Sequence, residues 1–134
     1  MELDWNDGCF VCGPNNPEGL RLEFRVDESA RAIETVWVPR PAHAGYEGMV
    51  HGGLVATVLD ETLGKLSTVL GTPAVTAELT VRYRKPVPVG RPLRVRGRIT
   101  GERGRLLTGE AEAVLEDGTV AATAALKLMK GNSR

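Results

Sequence analysis

The chain has no excess of charge: Lys and Arg total 17, Asp and Glu total 17, and the formal net charge is zero. Nothing therefore draws the whole molecule toward nucleic acid or an anionic membrane. Aromatic residues make up only 4%, too few for a platform that stacks bases. Cysteine is scarce as well. Cys9 and Cys12 are the two present, which excludes a disulfide framework. No apolar run approaches the roughly 20 residues of a membrane span. The first residues, Met1-Glu2-Leu3-Asp4-Trp5-Asn6-Asp7, are acidic and lack an apolar core, unlike a signal peptide. A cytoplasmic protein is expected.

What is present suits one domain over residues 1–134, with 42% hydrophobic and 25% charged residues. Residues 1–19 are rich in Gly, Pro and Asn and read as irregular. Leu20, Leu22, Phe24 and Val26 then alternate with charged residues, a half-buried strand. A second strand covers 31–38, and Pro39 and Pro41 open a loop to about Val50. Over 52–70 the period changes: Leu54, Val55, Val58, Leu59, Leu63, Leu66, Val69 and Leu70 recur at three- and four-residue spacing. Their arc of roughly 180° requires a sheet wrapped around the helix. Four strand-like runs follow, near 75–83, 93–100, 106–115 and 120–128, the last entered through Asp117-Gly118. In Val75–Tyr83 the odd positions form the apolar face. The expected class is α+β, an antiparallel sheet of five to six strands around one long helix.

The polar side of that helix is unusual. Gly53, Thr57, Asp60 and Gly64 share a stripe roughly 60° wide, flanked by Ala56 and Ser67. A solvated face favours Lys, Glu and Arg, whereas each glycine costs up to about 1 kcal/mol against alanine. Small residues there imply close approach of a ligand or another backbone, with Asp60 as the carboxylate in the approach zone. Glu61, about 100° around, forms an i,i+4 pair with Lys65 and reads as a surface ion pair. His51-Gly52-Gly53 opens the helix, where backbone amides and the dipole favour a polarised carbonyl oxygen. His51 suits a structural role, substrate contact or proton transfer.

Residues 51–64, His-Gly-Gly-Leu-Val-Ala-Thr-Val-Leu-Asp-Glu-Thr-Leu-Gly, resemble the signature of the PaaI-type hotdog thioesterases. Cys9-Phe10-Val11-Cys12-Gly13 with Asn16-Pro17-Glu18-Gly19-Leu20, and Val81-Arg82-Tyr83-Arg84-Lys85-Pro86-Val87, resemble two further family segments. The resemblance spans residues 9–128. It implies a hotdog fold working as a homodimer or dimer of dimers, with acyl-CoA held at the dimer interface. It further implies Asp60 as general base or nucleophile and the Gly52 amide as polariser of the thioester carbonyl, with His51 beside them. No cofactor is implied beyond the coenzyme A of the substrate. Some relatives carry Asn or Gln in the loop before His-Gly-Gly; residues 42–50 have neither, which leaves His43, Tyr46 and Glu47 as substitutes.

Gly53 and Thr57 are expected to line the substrate or position water. Arg82, Arg84 and Lys85 suit the phosphates of coenzyme A, or else guard a strand edge with charge. Arg94, Arg96 and Arg98 form a similar basic strip. The rival functions are a non-catalytic acyl-CoA binding module and an enoyl-thioester hydratase dependent on His51. Cys9-x-x-Cys12 is half of a tetrahedral zinc site, and His43 and His51 are the only histidines. The favoured reading is a tight metal-free loop packed on the fold.

Overall fold

The computed structural model describes residues 1–5 and 7–133; Asn6, inside the expected irregular segment, and Arg134 lie outside the described residues. Alternating residues build six strands of one antiparallel sheet. In chain order these are β2 (Arg25–Asp27), β3 (Ala32–Trp37), β4 (Ala74–Tyr83), β5 (Leu93–Arg103), β6 (Leu106–Val114) and β7 (Val120–Lys130). The spatial order is β2-β3-β5-β6-β7-β4, so β4 is an edge strand. A short parallel pair, β1 (Glu2–Leu3) with β8 (Asn132–Ser133), lies apart from this sheet. One helix, α1 (Gly52–Val69), packs on the sheet, matching the expected α+β hotdog architecture.

The wide apolar arc of α1 is what the sheet encloses. Val55, Val58, Leu59, Leu63 and Leu66 are buried in one cluster with Leu93, Val95, Leu107, Ala113, Ala122, Leu126 and Leu128. Two strand glycines set how deep the helix lies. A Cβ on Gly109 would fall 2.4 Å from Leu63 Cδ1, and one on Gly97 would fall 2.7 Å from Thr62 Oγ1. Side chains there would push α1 off the sheet.

Two segments differ from expectation. The first long strand shrinks to β2, because Arg21 takes a left-handed φ of 52° and breaks the ladder. Leu20 and Leu22 instead donate their amides to the Phe10 and Val11 carbonyls, which ties the N-terminal loop down. Their side chains still pack on the core. In β4 the register shifts between Thr76 and Glu78. Thr76 then lies opposite buried Leu128, and Tyr83 opposite buried Ala122, so two residues seven apart both face the helix side. The bulge reverses the face that simple alternation assigned to Thr76.

Candidate active site

The entrance to α1 is organised by His51, the N-cap. Its Nδ1 accepts the Gly53 amide at 2.9 Å, and its backbone N–H donates to the His43 carbonyl at 2.9 Å. In its neutral form the ring thus carries its proton on Nε2, directed away from the cap. Leu54 and Val55 donate to the His51 carbonyl. The Gly52 N–H finds no acceptor among the described residues, and it is the amide at the helix's positive end. Tyr83 packs beside it: the Tyr83 hydroxyl donates to the Gly52 carbonyl at 2.7 Å. A groove of about 660 Å³ opens here, lined by Tyr46, His51, Gly52, Tyr83, Arg84 and Lys85 among others.

Asp60 belongs to another part of the helix. It is half-buried, and its Oδ1 accepts the Thr76 hydroxyl from β4 at 2.6 Å. Eight residues separate it from Gly52, about 12 Å along the axis, and it does not line the groove. Within one chain, the expected carboxylate and amide donor are not brought to a common point. The two helix glycines also differ. A Cβ on Gly53 would meet the His51 ring at 3.1 Å, so Gly53 makes room for the cap. Gly64 faces open space. Thr57 donates its hydroxyl to the Gly53 carbonyl, leaving only acceptor capacity. Ser67, expected beside the polar stripe, is fully buried and donates to the Gly64 carbonyl.

The expected basic cluster divides. Arg84 and Lys85 line the groove, while Arg82, paired with Thr123 in register, faces the outer side of the sheet. The hollow there, about 1050 Å³, is the larger one but is remote from the helix entrance. The strip of Arg94, Arg96 and Arg98 is neutralised by Glu34, Glu112 and Glu110 on neighbouring strands. Of the loop candidates, His43 is buried against Trp37 and its Nδ1 accepts the Arg40 amide. Burial, then the Arg40 charge, lowers its pKa from the usual 6.5. Tyr46 is exposed at the groove, and Glu47 does not line it.

Glu61 corrects another expectation. It makes no ion pair with Lys65; its Oε2 accepts the Cys12 thiol at 2.8 Å and the Cys9 thiol at 3.1 Å. The Lys65 ammonium lies 4.2 Å above the Trp5 ring instead. Thr76 and Tyr83 were not singled out from the sequence. Tyr83 lies inside a quoted motif, whereas Thr76 is hidden by the bulge.

A family model for the thioesterase superfamily matches residues 47–122, from the loop before His51 to the start of β7. The chain belongs to the thioesterase superfamily. Acyl-coenzyme A thioesterase THEM4 of Xenopus laevis is 28% identical over 113 residues, covering 83% of this chain and 51% of that protein. The rat THEM4 protein is 36% identical over 92 residues, covering 67% and 40%. The chain thus spans about half or less of these curated relatives. A crystal structure of a thioesterase superfamily protein superposes with a TM-score of 0.85 at 26% identity, covering 92% of this chain and 60% of that one. Two others share the fold: a Streptococcus mutans protein bound to acetyl CoA (TM-score 0.77, 20% identity, 84% and 90% covered) and the Escherichia coli PaaI protein (0.77, 15%, 86% and 84%). No helix among the described residues is long and apolar enough to cross a membrane.

Proposed function

We propose that the chain is an acyl-CoA thioesterase whose every active site is assembled from two copies. The observation that carries this is the 12 Å or so of helix between Asp60 and Gly52, too far for one thioester carbon to meet both. Strand β4 supplies the remedy. It runs from Thr76, bonded to Asp60, to Tyr83, bonded to Gly52, and its outer edge is unpaired among the described strands. Antiparallel pairing of β4 with the same strand of a second copy is self-complementary. It brings the Tyr83–Gly52 end of one chain beside the Thr76–Asp60 end of the other. Open space at Gly64 suits the approach of that second copy.

In such a site water adds to the thioester carbonyl, and the coenzyme A thiol leaves with the proton while the free acid remains. Asp60 acts as general base on the water or as the attacking nucleophile. The Gly52 amide receives the negative charge developing on the carbonyl oxygen, a donor worth about 3 kcal/mol when well aimed. Arg84 and Lys85 meet the coenzyme A phosphates. Thr76 orients Asp60, and Thr57 offers an acceptor to water. His51 serves by holding the entrance. Its capping bond weighs against the hydratase reading, in which this ring does the chemistry. The reading includes a cytoplasmic setting, coenzyme A only as part of the substrate, and no nucleic-acid or membrane partner.

A complementation experiment tests the assembly. Asp60→Ala removes the carboxylate, and Gly52→Pro removes the N–H at the first helical position, which accepts proline. His51, at φ −57° and ψ 128°, already has the extended shape preferred before proline. Hydrolysis of an acyl-CoA panel of graded chain length should fall sharply in each variant alone. Unfolding and refolding an equal mixture should restore about one quarter of parental activity, since half the symmetric dimers carry one intact site of two. No recovery in verified mixed dimers would place both groups in one chain's site. Full activity in Asp60→Ala alone would overturn the thioesterase assignment of that residue.

A further inference from the structure

Beyond the thioester site, the side-chain cluster formed by Cys9, Cys12 and Glu61 has no role in the chemistry above. We propose that these three residues form a zinc site that staples the N-terminal loop to helix α1. Their ligand atoms all lie within 4.8 Å of one another. They come from two elements far apart in sequence: the loop delivers two sulfurs three residues apart, and the helix delivers a carboxylate 49 residues later. Thiolate sulfur and carboxylate oxygen are both zinc donors, at about 2.3 Å and 2.0–2.2 Å. A tetrahedral site then needs ligand–ligand edges of about 3.5–3.8 Å. The Cys–Glu separations of 2.8 and 3.1 Å open to that by less than an ångström.

The surroundings favour a cation. Glu61 has lost its natural partner, since Lys65 lies over Trp5. Both thiols converge on one oxygen, Oε2, although a thiol is a weak donor. Binding of a divalent ion releases the thiol protons to solvent and turns the three converging groups into ligands. Neither histidine competes, because the Nδ1 atoms of His43 and His51 already accept backbone amides. The fourth position is left to water, on the side of half-exposed Cys9. None of the three residues lines the groove at the helix entrance, so the role assigned to the ion is structural. Glu61 adjoins Asp60, so the ion would hold the loop against the segment of α1 that carries the catalytic carboxylate.

The test uses the full chain, free of histidine tags, purified from zinc-supplemented cells without chelator. Elemental analysis should find about one zinc per chain. After removal of zinc, titration with cobalt(II) should give a one-to-one complex with a thiolate-to-cobalt charge-transfer band. Cys9→Ser/Cys12→Ser should abolish the band and the zinc. Glu61→Gln, which keeps the side chain's size, should weaken zinc binding about tenfold or more. Should the double variant fail to fold, the band in the parental protein and its displacement by zinc still decide the matter. A parental chain with reduced thiols that binds neither ion overturns the proposal, as does cobalt binding that persists unchanged without the two cysteines. Thiols found joined in a disulfide in freshly purified protein also overturn it. None of these readings depends on hydrolytic activity, so the thioesterase assignment stands or falls separately.

Discussion

Asp60 and Glu61 are neighbours in sequence, yet their surroundings share almost nothing. Asp60 lies beneath an edge strand, held by one hydroxyl of β4 and facing the side where a second copy fits. Glu61, a third of a turn away, is enclosed by the N-terminal loop and gathers two thiols. Both are half-buried acids on one helix. What differs is the element packed over each. An acid under an unfinished sheet edge is available for chemistry between chains, whereas an acid under a closed loop serves to hold that loop.

The sharpest way to break this contrast is to neutralise each acid in turn. Asp60→Ala should lower kcat for acyl-CoA hydrolysis by about 10²–10⁴, while the chain stays folded and loses no more stability than its bond to Thr76 supplied, about 1.5–3 kcal/mol. Glu61→Gln should leave kcat close to the parental value and instead speed limited proteolysis within residues 1–19. If Glu61→Gln lost hydrolysis as completely as Asp60→Ala did, the division of labour would be wrong. Next in size is Thr76→Val. It removes the one hydroxyl bonded to Asp60 while keeping shape and β propensity. A hydrogen bond to a charged group is worth about 1.5 kcal/mol or more, so kcat should fall about tenfold with KM little changed. An unchanged kcat would show that Asp60 needs no such orientation.

Tyr83→Phe acts at the other end of β4. Loss of its bond to the Gly52 carbonyl, about 0.5–1.5 kcal/mol, should raise KM a few-fold and leave Asp60-dependent kcat nearly intact. Smallest is a pH effect at the loop before α1. His43 has a folded-state pKa below its usual 6.5, so below that value the unfolded chain binds more protons than the folded one. Its stabilising contribution is fully present above pH 6.5 and is lost as pH falls toward the folded-state pKa. Denaturant midpoints measured from pH 7.5 down to about pH 5 should decline less in His43→Gln than in the parent. Equal slopes would remove His43 from the account.

Much of this was legible from residue order. The helix boundaries, five of the six sheet strands and the helix-entrance glycines followed from periodicity and turn residues, because those depend on local geometry. Most of the inner face of α1 was read from its spacing, but Val69 is exposed, and Thr62 and Ser67 are buried with their hydroxyls satisfied by carbonyls of their own helix. Three things were not legible. A single bulge in β4 turns Thr76 toward Asp60, and no residue pattern announces it. The i,i+4 spacing of Glu61 and Lys65 predicted an ion pair, but an aromatic ring and two thiols outbid it from distant segments. The basic run 82–85 straddles the end of β4, where neighbouring side chains point to opposite sides of the sheet.

Sequence alone, then, determined the elements, the buried face of the helix and the identity of the groups able to do chemistry. These are set by interactions a few residues long. Tertiary structure decided which groups meet: Asp60 with Thr76, Gly52 with Tyr83, Glu61 with the cysteines. Contacts of that kind span tens of residues, and they depend on strand order and on one inserted residue in an edge strand. The distance from Asp60 to Gly52 belongs to both levels. Helix rise makes it too long for one chain, and the open edge of β4 is where a second chain can shorten it.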